Sequence, residues 1–344
     1  MSERDAVLEA KLEPLSGYLK RPNVEEISAN EPGKIGLDIV GKGTKWETDS
    51  RLSLRYWDEL CHILANKAGA TFDAERQPVV STRLPGGHRF EAMMGKTVTE
   101  TGISVSIRIK RDFRADLDAF GVAGDGMNLF AAGERKTALS SQSAAALAAL
   151  PADVKAWLAE AVSDGRNILI SGGTSSGKTT LLNALVRYIH PEKRVLVVED
   201  TREVDLPHLK NKNFFVVSRN EANPNVGYGE VFDHMMRSHP QIIIAGELSI
   251  RNAYPALLLM NSGHKGFLCT MHANNARMAL EEGFYQRITL SGKPMIKSDL
   301  IEYLHGAIDL VIQCGVAADG RRKVLELWEP GRRAPSEFYG VAAE

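Results

Sequence analysis

The sequence of 344 residues is poor in cysteine, balanced in charge and without a long hydrophobic run. Its three cysteines, Cys61, Cys269 and Cys314, stand far apart, which excludes a disulfide framework and a cysteine zinc module. The 42 basic and 43 acidic residues lack the basic excess that is typical of a broad nucleic-acid surface. No segment approaches the roughly 18 consecutive apolar residues of a membrane-spanning helix.

The composition is otherwise that of an ordinary globular chain, with 44% hydrophobic and 25% charged residues. At roughly 150 residues per domain, the length predicts about two domains. The charged N-terminus does not resemble a signal peptide, and the scattered cysteines suit a reducing compartment. We therefore expect a cytoplasmic protein for which nucleic acid is not the leading partner.

Residues 1–111 combine helical and strand patterns and are expected to form a smaller, N-terminal α/β domain. Apolar residues recur at helical spacing in 9–19 and again in 55–69, where Gly69 is a suitable C-cap. Alternating apolar and polar residues predict a half-buried strand at 102–110.

Residues 112–150 are rich in Ala, Ser, Gly and Asp and predict a linker with short helices. An equally supported alternative places the later of these helices in the core of the second domain. From 151 to 344, short β-branched runs alternate with helical segments, and the strands are apolar throughout. Because such strands are buried on both faces, this part predicts an α/β domain with a mainly parallel sheet.

The strongest motif fits G-x-x-x-x-G-K-[ST] between a predicted strand and a predicted helix. Its glycines let successive backbone N–H groups surround a phosphate, and the helix N-terminus adds a partial positive charge. Lys178 would reach the β- and γ-phosphates, and the Thr179 hydroxyl would bind Mg²⁺. The alternative is a glycine turn with an incidental lysine, which the flanking elements disfavour. The residues expected to bind ATP here are Gly172, Gly173, Thr174, Ser175, Ser176, Gly177, Lys178, Thr179 and Thr180.

Carboxylates follow two of the later apolar strands. Glu199 and Asp200 end one strand, and Glu247 ends another. Because α/β sheets carry their ligands at the carboxyl ends of the strands, these groups can hold Mg²⁺ or orient the attacking water. Each carboxylate alone could be a strand-end cap or a surface ion pair. Two such ends behind one phosphate loop favour catalysis, and we rank Glu247 first as the base.

A polar turn carries His264, and the strand that follows it ends in Thr270 and His272. Zinc binding has little support, because neither a cysteine pair nor a carboxylate helix accompanies these histidines at metal spacing. From spacing alone, the two histidines are equally compatible with a structural role and with imidazole donors to a γ-phosphate.

In their order, these motifs resemble the Walker A, Asp box, Walker B and His box of the hexameric secretion ATPases. The motifs are the phosphate loop, VVEDTREVDL, HPQIIIAGEL and NSGHKGFLCTMHANNA, and the last is highly specific to that superfamily. Residues 14–41, 83–94 and 102–111 also resemble the N-terminal third of the family. The resemblance covers residues 12–329 and is greatest to the cytoplasmic ATPase of type IV secretion and conjugation systems.

The resemblance implies a RecA-like P-loop motor domain and a homo-hexamer that hydrolyses ATP with Mg²⁺. The implied work is pilus assembly and substrate transfer by a type IV secretion or conjugation system, driven by domain movement in the ring. Thr179 and Glu247 would face the metal, and His264 would face the nucleotide. The implied catalytic residues are Glu247, Glu199, Lys178, His272, Arg89 and Arg108.

Arg89 and Arg108 match segments that present arginines to the nucleotide in the family, although surface arginines are usually solvated and worth little. The implied partners are inner-membrane components and other ATPases of the secretion system. The protein would lie in the cytoplasm, peripheral at the inner membrane, without sequence-specific nucleic-acid binding.

The sequence also departs from the family. Ser249 stands where an arginine usually follows the Walker B ending, and Gln241 and Ile242 replace a common Asp-Arg. These changes affect the expected contacts with neighbouring subunits more than the chemistry, because Glu247 is retained.

Several alternatives stay open at this point. A pilus retraction ATPase would share the motor core, and a type II secretion ATPase usually carries a four-cysteine zinc module that this chain lacks. Outside the superfamily, a small-molecule P-loop kinase and a nucleotide-gated scaffold fit the phosphate loop. A DNA translocase is disfavoured by the charge balance.

Overall fold

The computed structural model describes residues 3–39, 42–110, 117, 120–122, 127–131, 134–138, 152–217, 226–260, 263, 266–316 and 322–331. The chain divides into two compact units, whose described residues lie within 3–110 and 117–331. Within the described residues, no helix is long and apolar enough to cross a membrane.

The first unit is built on a six-stranded antiparallel sheet. Its strands are β1 (Val24–Ala29), β2 (Lys34–Ile39), β3 (Gly43–Thr48), β4 (Val79–Arg83), β5 (Arg89–Met94) and β6 (Ile103–Arg108). Its helices are α1 (Glu3–Lys11), α2 (Glu13–Leu19) and α3 (Leu54–Lys67). The strands lie in the order β3-β2-β1-β6-β5-β4, so β5 and β6 are both interior strands.

Helix α3 shows how local sequence builds this unit. The Ser53 hydroxyl accepts the N–H of Tyr56 at 3.2 Å, which caps the first turn. The C-cap is Ala68, and the predicted Gly69 is the next residue, in the left-handed region (φ 71), where it ends the helix. Trp57 and Leu60 lie on the buried face of the helix and pack in the core against the sheet.

The second unit contains a ten-stranded sheet. Its strands are β7 (Gly121–Val122), β8 (Met127–Ala131), β9 (Glu134–Ala138), β10 (Ile168–Gly172), β11 (Val195–Glu199), β12 (Lys212–Val216), β13 (Ile242–Ala245), β14 (Phe267–His272), β15 (Leu310–Val316) and β16 (Arg322–Glu329). The order is β12-β11-β13-β14-β10-β15-β16-β8-β9, with β7 paired to β16. The six strands from β12 to β15 in this order are parallel, whereas β15–β16 and β8–β9 are antiparallel.

Helices accompany the parallel strands: α4 (Ala152–Ser163), α5 (Lys178–Leu185), α6 (Tyr228–Arg237), α7 (Ala253–Met260), α8 (Phe284–Leu290) and α9 (Lys297–Ala307). A π-helical turn, Met278–Gly283, leads directly into α8. Strand β10 is buried along its whole length, with Ile168 and Ile170 in one hydrophobic cluster and Leu169 in another. Because successive side chains point to opposite faces, the sheet has a core on each side, as its apolar strands predict.

Within 112–150 the described residues include β7, β8 and β9, which are strands where the sequence predicts short helices. Both β7 and β8 pair in parallel with β16. Helix propensity is a weak preference, and hydrogen bonding to the edge of a sheet overrides it in these strands. The alanine-rich residues 144–149 lie outside the described residues. The helix prediction is wrong for β7, β8 and β9.

Candidate active site

The phosphate loop connects β10 to α5 and has an unusual backbone. Ser175 (φ 58) and Gly177 (φ 92) both lie in the left-handed region, which costs strain for the serine and little for the glycine. A Cβ on Gly177 would lie 2.6 Å from Cδ of Arg322. Such a conformation aims backbone N–H groups into a concave loop, and the positive end of α5 begins at its rim. The loop therefore suits a bound phosphate chain.

Side chains along the loop differ in exposure. Thr174 and Ser175 are exposed, Thr179 and Thr180 are half-buried, and Ser176 is buried. Thr179 is the second residue of α5, directly after Lys178. The predicted binding residues thus share one strand–loop–helix connection.

Lys178 is 7% exposed and folds back over the loop. Its ammonium group donates hydrogen bonds to the carbonyl oxygens of Gly172 at 3.2 Å and Gly173 at 2.8 Å. The same Nζ lies 3.2 Å from Nδ1 of His272. A lysine held at the mouth of the loop is a point charge placed for phosphate oxygens.

His272 and Glu247 meet beside Lys178. Strand β14 ends at His272, which pairs with Gly172 at the end of β10. Nε2 of His272 lies 3.6 Å from Oε1 of Glu247, and each side chain is 40% exposed. At the carboxyl edge of the sheet, His272 therefore lies between Lys178 and Glu247 and contacts both side chains.

Glu199 has a different environment from Glu247. It is 3% exposed, and its Oε1 accepts the backbone N–H groups of Glu203 and Val204 at 2.8 and 2.9 Å. Its Oε2 lies 3.6 Å from Nε of Arg202, beyond hydrogen-bond distance. Burial raises the pKa of Glu199 to about 7, because the low-dielectric interior disfavours the charged form more than the two N–H donors favour it.

The guanidinium of Arg202 stacks on the Phe214 ring, 3.4 Å from its centroid. Arg202 and the two N–H donors together tie the carboxylate of Glu199 to the loop that follows β11. Glu199 also lies close to the Walker B ending, because a Cβ on Gly246 would be 2.8 Å from its Cγ. The contacts of Glu199 are those of a group that shapes this loop.

Arg89 and Arg108 lie directly opposite each other on β5 and β6. Arg83 on β4 is opposite Arg89, and Glu26 on β1 is opposite Arg108. Directly opposite residues share a face of the sheet, so three arginines form one row. Sequence reasoning missed Arg83, because its place beside Arg89 depends on strand register.

His264, which the sequence predicts near the nucleotide, lies outside the described residues. Ser249 stands in the place of the family arginine, and its backbone N–H donates to Oδ1 of Asn252 at 2.7 Å. The Asn252 amide donates in turn to the carbonyl oxygen of Glu247 at 2.9 Å, so the segment after Glu247 is held by Asn252.

Arg287 and Gln313 also contact this region and were missed by sequence reasoning. Arg287, on α8, donates to the carbonyl oxygens of Leu248 and His272. The Gln313 amide donates to the carbonyl oxygen of Ala273, which follows His272. An arginine within a helix and a glutamine within a strand carry no motif that could have identified them.

The fold and these contacts define a P-loop α/β protein with an acidic and imidazole-bearing sheet edge. The family model "Type II/IV secretion system protein" matches residues 12–282. The type IV secretion system protein VirB11 of Bartonella quintana and the protein VirB11 of Rhizobium radiobacter are each 28% identical to this chain. The first covers 95% of this chain and 94% of its own length, and the second 93% and 97%.

Among solved structures, the ATPase DotB of Legionella pneumophila matches with a TM-score of 0.58 at 17% identity. The match covers 93% of this chain and 79% of DotB, and at this identity it supports the fold. The chain belongs to the type II/IV secretion ATPase family and is VirB11-like over nearly its full length. Membership of this family implies nucleotide binding and ATP hydrolysis.

Proposed function

We propose that the protein hydrolyses ATP with Mg²⁺ and thereby powers pilus assembly and substrate transfer by a type IV secretion or conjugation system. The observation that carries the proposal is the meeting of Lys178, His272 and Glu247 at the phosphate loop. These residues come from three different parts of the chain, and an incidental glycine turn would not require them to meet.

Lys178 would neutralise charge on the β- and γ-phosphates, which is the term that contributes most to phosphoryl transfer. Its bonds to the carbonyl oxygens of Gly172 and Gly173 keep the ammonium group beside the loop. His272 would donate to a terminal phosphate oxygen, because its ring already lies next to Lys178.

Glu247 is the better candidate for the general base. Its carboxylate is partly open to solvent and touches His272, so it can accept a proton from water. Glu199 has one oxygen engaged with two backbone N–H groups and is largely buried. We therefore assign proton transfer to Glu247 and organisation of the loop after β11 to Glu199.

A magnesium ion would supply charge neutralisation at the phosphates. Thr179 and Glu247 are the residues that would hold it, the threonine directly and the carboxylate directly or through water. Hydroxyl and carboxylate oxygens are the hard donors that this ion prefers, so the residues fit.

Arg89 and Arg108 would contact the terminal phosphates in the working enzyme. A row of guanidinium groups offers planar, permanently charged donors that grip phosphate oxygens. Loss of the γ-phosphate would weaken this grip, and the first unit would then move within a homo-hexameric ring. The ring would work in the cytoplasm at the inner membrane, with membrane components and other ATPases of the secretion system.

The experiment combines phosphate release with mass measurement of the full chain in solution, with and without ATP. We expect a hexamer and slow release of phosphate that requires Mg²⁺. A monomer that transfers phosphate to a small molecule would indicate a kinase. Tight ATP binding without phosphate release would indicate a nucleotide-gated scaffold.

A further inference from the structure

The chain segments that follow the last β13–β14 pair carry both Glu247 and His272. The last ladder pair is Ala245 with Cys269, and both Glu247 and His272 lie beyond it. Two bonds continue the connection: the Thr270 hydroxyl donates to the carbonyl of Gly246 at 2.6 Å, and the N–H of Leu248 donates to the carbonyl of Thr270 at 2.7 Å. On its other side His272 is held by β10, where it pairs with Gly172, so beyond the β13–β14 ladder these two bonds join the segment of Glu247 to that of His272.

Arg287 joins the same two segments from α8. Its Nε donates to the carbonyl oxygen of Leu248 at 3.1 Å, and its Nη2 donates to that of His272 at 3.4 Å. Its Nη1 donates to the carbonyl oxygen of Gly283 at 3.1 Å, which anchors the guanidinium on its own helix. One planar group thus joins the residue after Glu247 to His272 itself.

The π-helical turn before α8 makes room for this arrangement. A Cβ on Gly283 would lie 2.7 Å from Sδ of Met271 and 3.3 Å from Nη1 of Arg287. Gly283 therefore lets the helix approach β14 closely enough for the guanidinium to reach both strand ends. π-Helical turns inside helices are often found at functional sites.

Arg287 is partly removed from solvent and lies near the negative charge of Glu247. Desolvation lowers the pKa of its guanidinium, and the nearby negative charge of Glu247 opposes that effect. A cation that loses solvent and points its donors at carbonyl oxygens is held by geometry more than by charge pairing. In the described residues, its hydrogen bonds reach the two strand ends and its own helix, none of which is the phosphate loop.

We propose that Arg287 is a positioning residue that keeps Glu247 and His272 in their relative places for hydrolysis. The inference rests on the proposed ATP hydrolysis. Because small displacements of catalytic groups can cost on the order of 100-fold in rate, loss of the Arg287 hydrogen bonds to Leu248 and His272 should lower kcat. Nucleotide affinity depends on the phosphate loop, which Arg287 does not contact, and should change little.

The test compares Arg287→Met and Arg287→Lys with the control Arg277→Met in the full chain. Arg277 lies in the same helical segment, but its side chain is 74% exposed and pairs with Glu281. We expect both Arg287 variants to lose at least about tenfold in kcat, with ATP affinity within about twofold of wild type. Arg277→Met should retain wild-type kcat.

Full recovery of kcat by Arg287→Lys would overturn the proposal, because lysine keeps the charge without the planar fork. An equal loss of affinity and kcat would also overturn it. Hydrogen exchange supplies a reading that needs no activity: Arg287→Met should accelerate exchange at 246–249 and 271–273 and leave 181–185 unchanged. If the wild type does not hydrolyse ATP, the proposed function fails. Unchanged exchange in Arg287→Met would show that Arg287 does not hold the segments of Glu247 and His272 in place.

Discussion

The phosphate loop of the second unit and the arginine row of the first unit are both proposed to bind phosphate, but they are built differently. The loop is one continuous segment, 172–180, and offers backbone N–H groups at positions set by left-handed residues. The row offers side chains of Arg83, Arg89 and Arg108, which stand on three neighbouring strands and are aligned by strand register. A local motif therefore reveals the first site, whereas the resemblance indicates Arg89 and Arg108 and pairing across strands shows that they are opposite each other, with Arg83 beside them.

The strongest test of the loop is Lys178→Ala. We expect turnover to fall at least about 10³-fold, because the change removes the charge beside the β- and γ-phosphates. Phosphate release measures the effect, and Lys210→Ala is the control, since its side chain is 84% exposed. Wild-type turnover in Lys178→Ala would contradict the assignment of the phosphate loop.

The corresponding test of the row is Arg89→Ala and Arg108→Ala, made separately. An arginine that contacts terminal phosphates contributes on the order of 10³ or more in turnover, so each loss should stand far above a surface-charge effect. Arg55→Ala is the control, because the Arg55 side chain is 88% exposed and pairs with Glu59. If both variants keep turnover within about threefold of wild type, the row does not contact the phosphates during hydrolysis.

Glu247→Gln tests which carboxylate of the second unit is the general base. We expect on the order of 10²-fold loss of turnover with ATP binding retained, because an amide cannot accept the proton or bind Mg²⁺ as a carboxylate does. Equilibrium binding and phosphate release measure the two quantities, with Glu192→Gln as an exposed control. A larger loss in Glu199→Gln would move the base to the end of β11.

Glu199→Gln should have the smallest effect on turnover, less than about tenfold, but a distinct effect on stability. The folded-state pKa of Glu199, about 7, lies above its ordinary value of 4.5, so the folded state binds the proton more tightly than the unfolded state. The stability that this proton contributes is fully present below about pH 4.5 and is lost as the pH rises through about 7.

Thermal unfolding midpoints at pH 5 and pH 8 measure this effect. The unfolding midpoint of the wild type, measured relative to that of Glu199→Gln, should be lower at pH 8 than at pH 5, because glutamine does not titrate. A constant difference between the two proteins across this range would show that Glu199 is ionised in the folded state at both pH values.

Several parts of the fold follow from the sequence. The apolar runs at β10, β11 and β13 predict strands buried on both faces, and the two hydrophobic clusters confirm it. The alternation at 102–110 predicts β6, and Gly69 ends the helical pattern of α3 as expected. These features are local, since a few neighbouring residues determine whether a segment can be buried, extended or stopped.

Other parts of the fold were not predictable, because they depend on partners that are distant in the chain. The strands β7, β8 and β9 form where composition favours short helices, because the partner of β7 and β8 is β16, almost 200 residues later in the chain. The contrast between Glu199 and Glu247 was also hidden, since both simply end apolar strands. Burial and two backbone N–H donors distinguish Glu199, and these depend on the loop that folds over it.

By itself, the sequence determined the phosphate loop, the carboxylate and histidine strand ends and the resemblance to secretion ATPases, because each is encoded by contiguous residues. The tertiary structure decided which of these groups meet: His272 lies between Lys178 and Glu247, while Glu199 turns to its own loop. It also decided that Arg83, Arg89 and Arg108 share one row and that Arg287 reaches two strand ends. Such meetings depend on strand register and helix packing, which bring together residues that are distant in the chain.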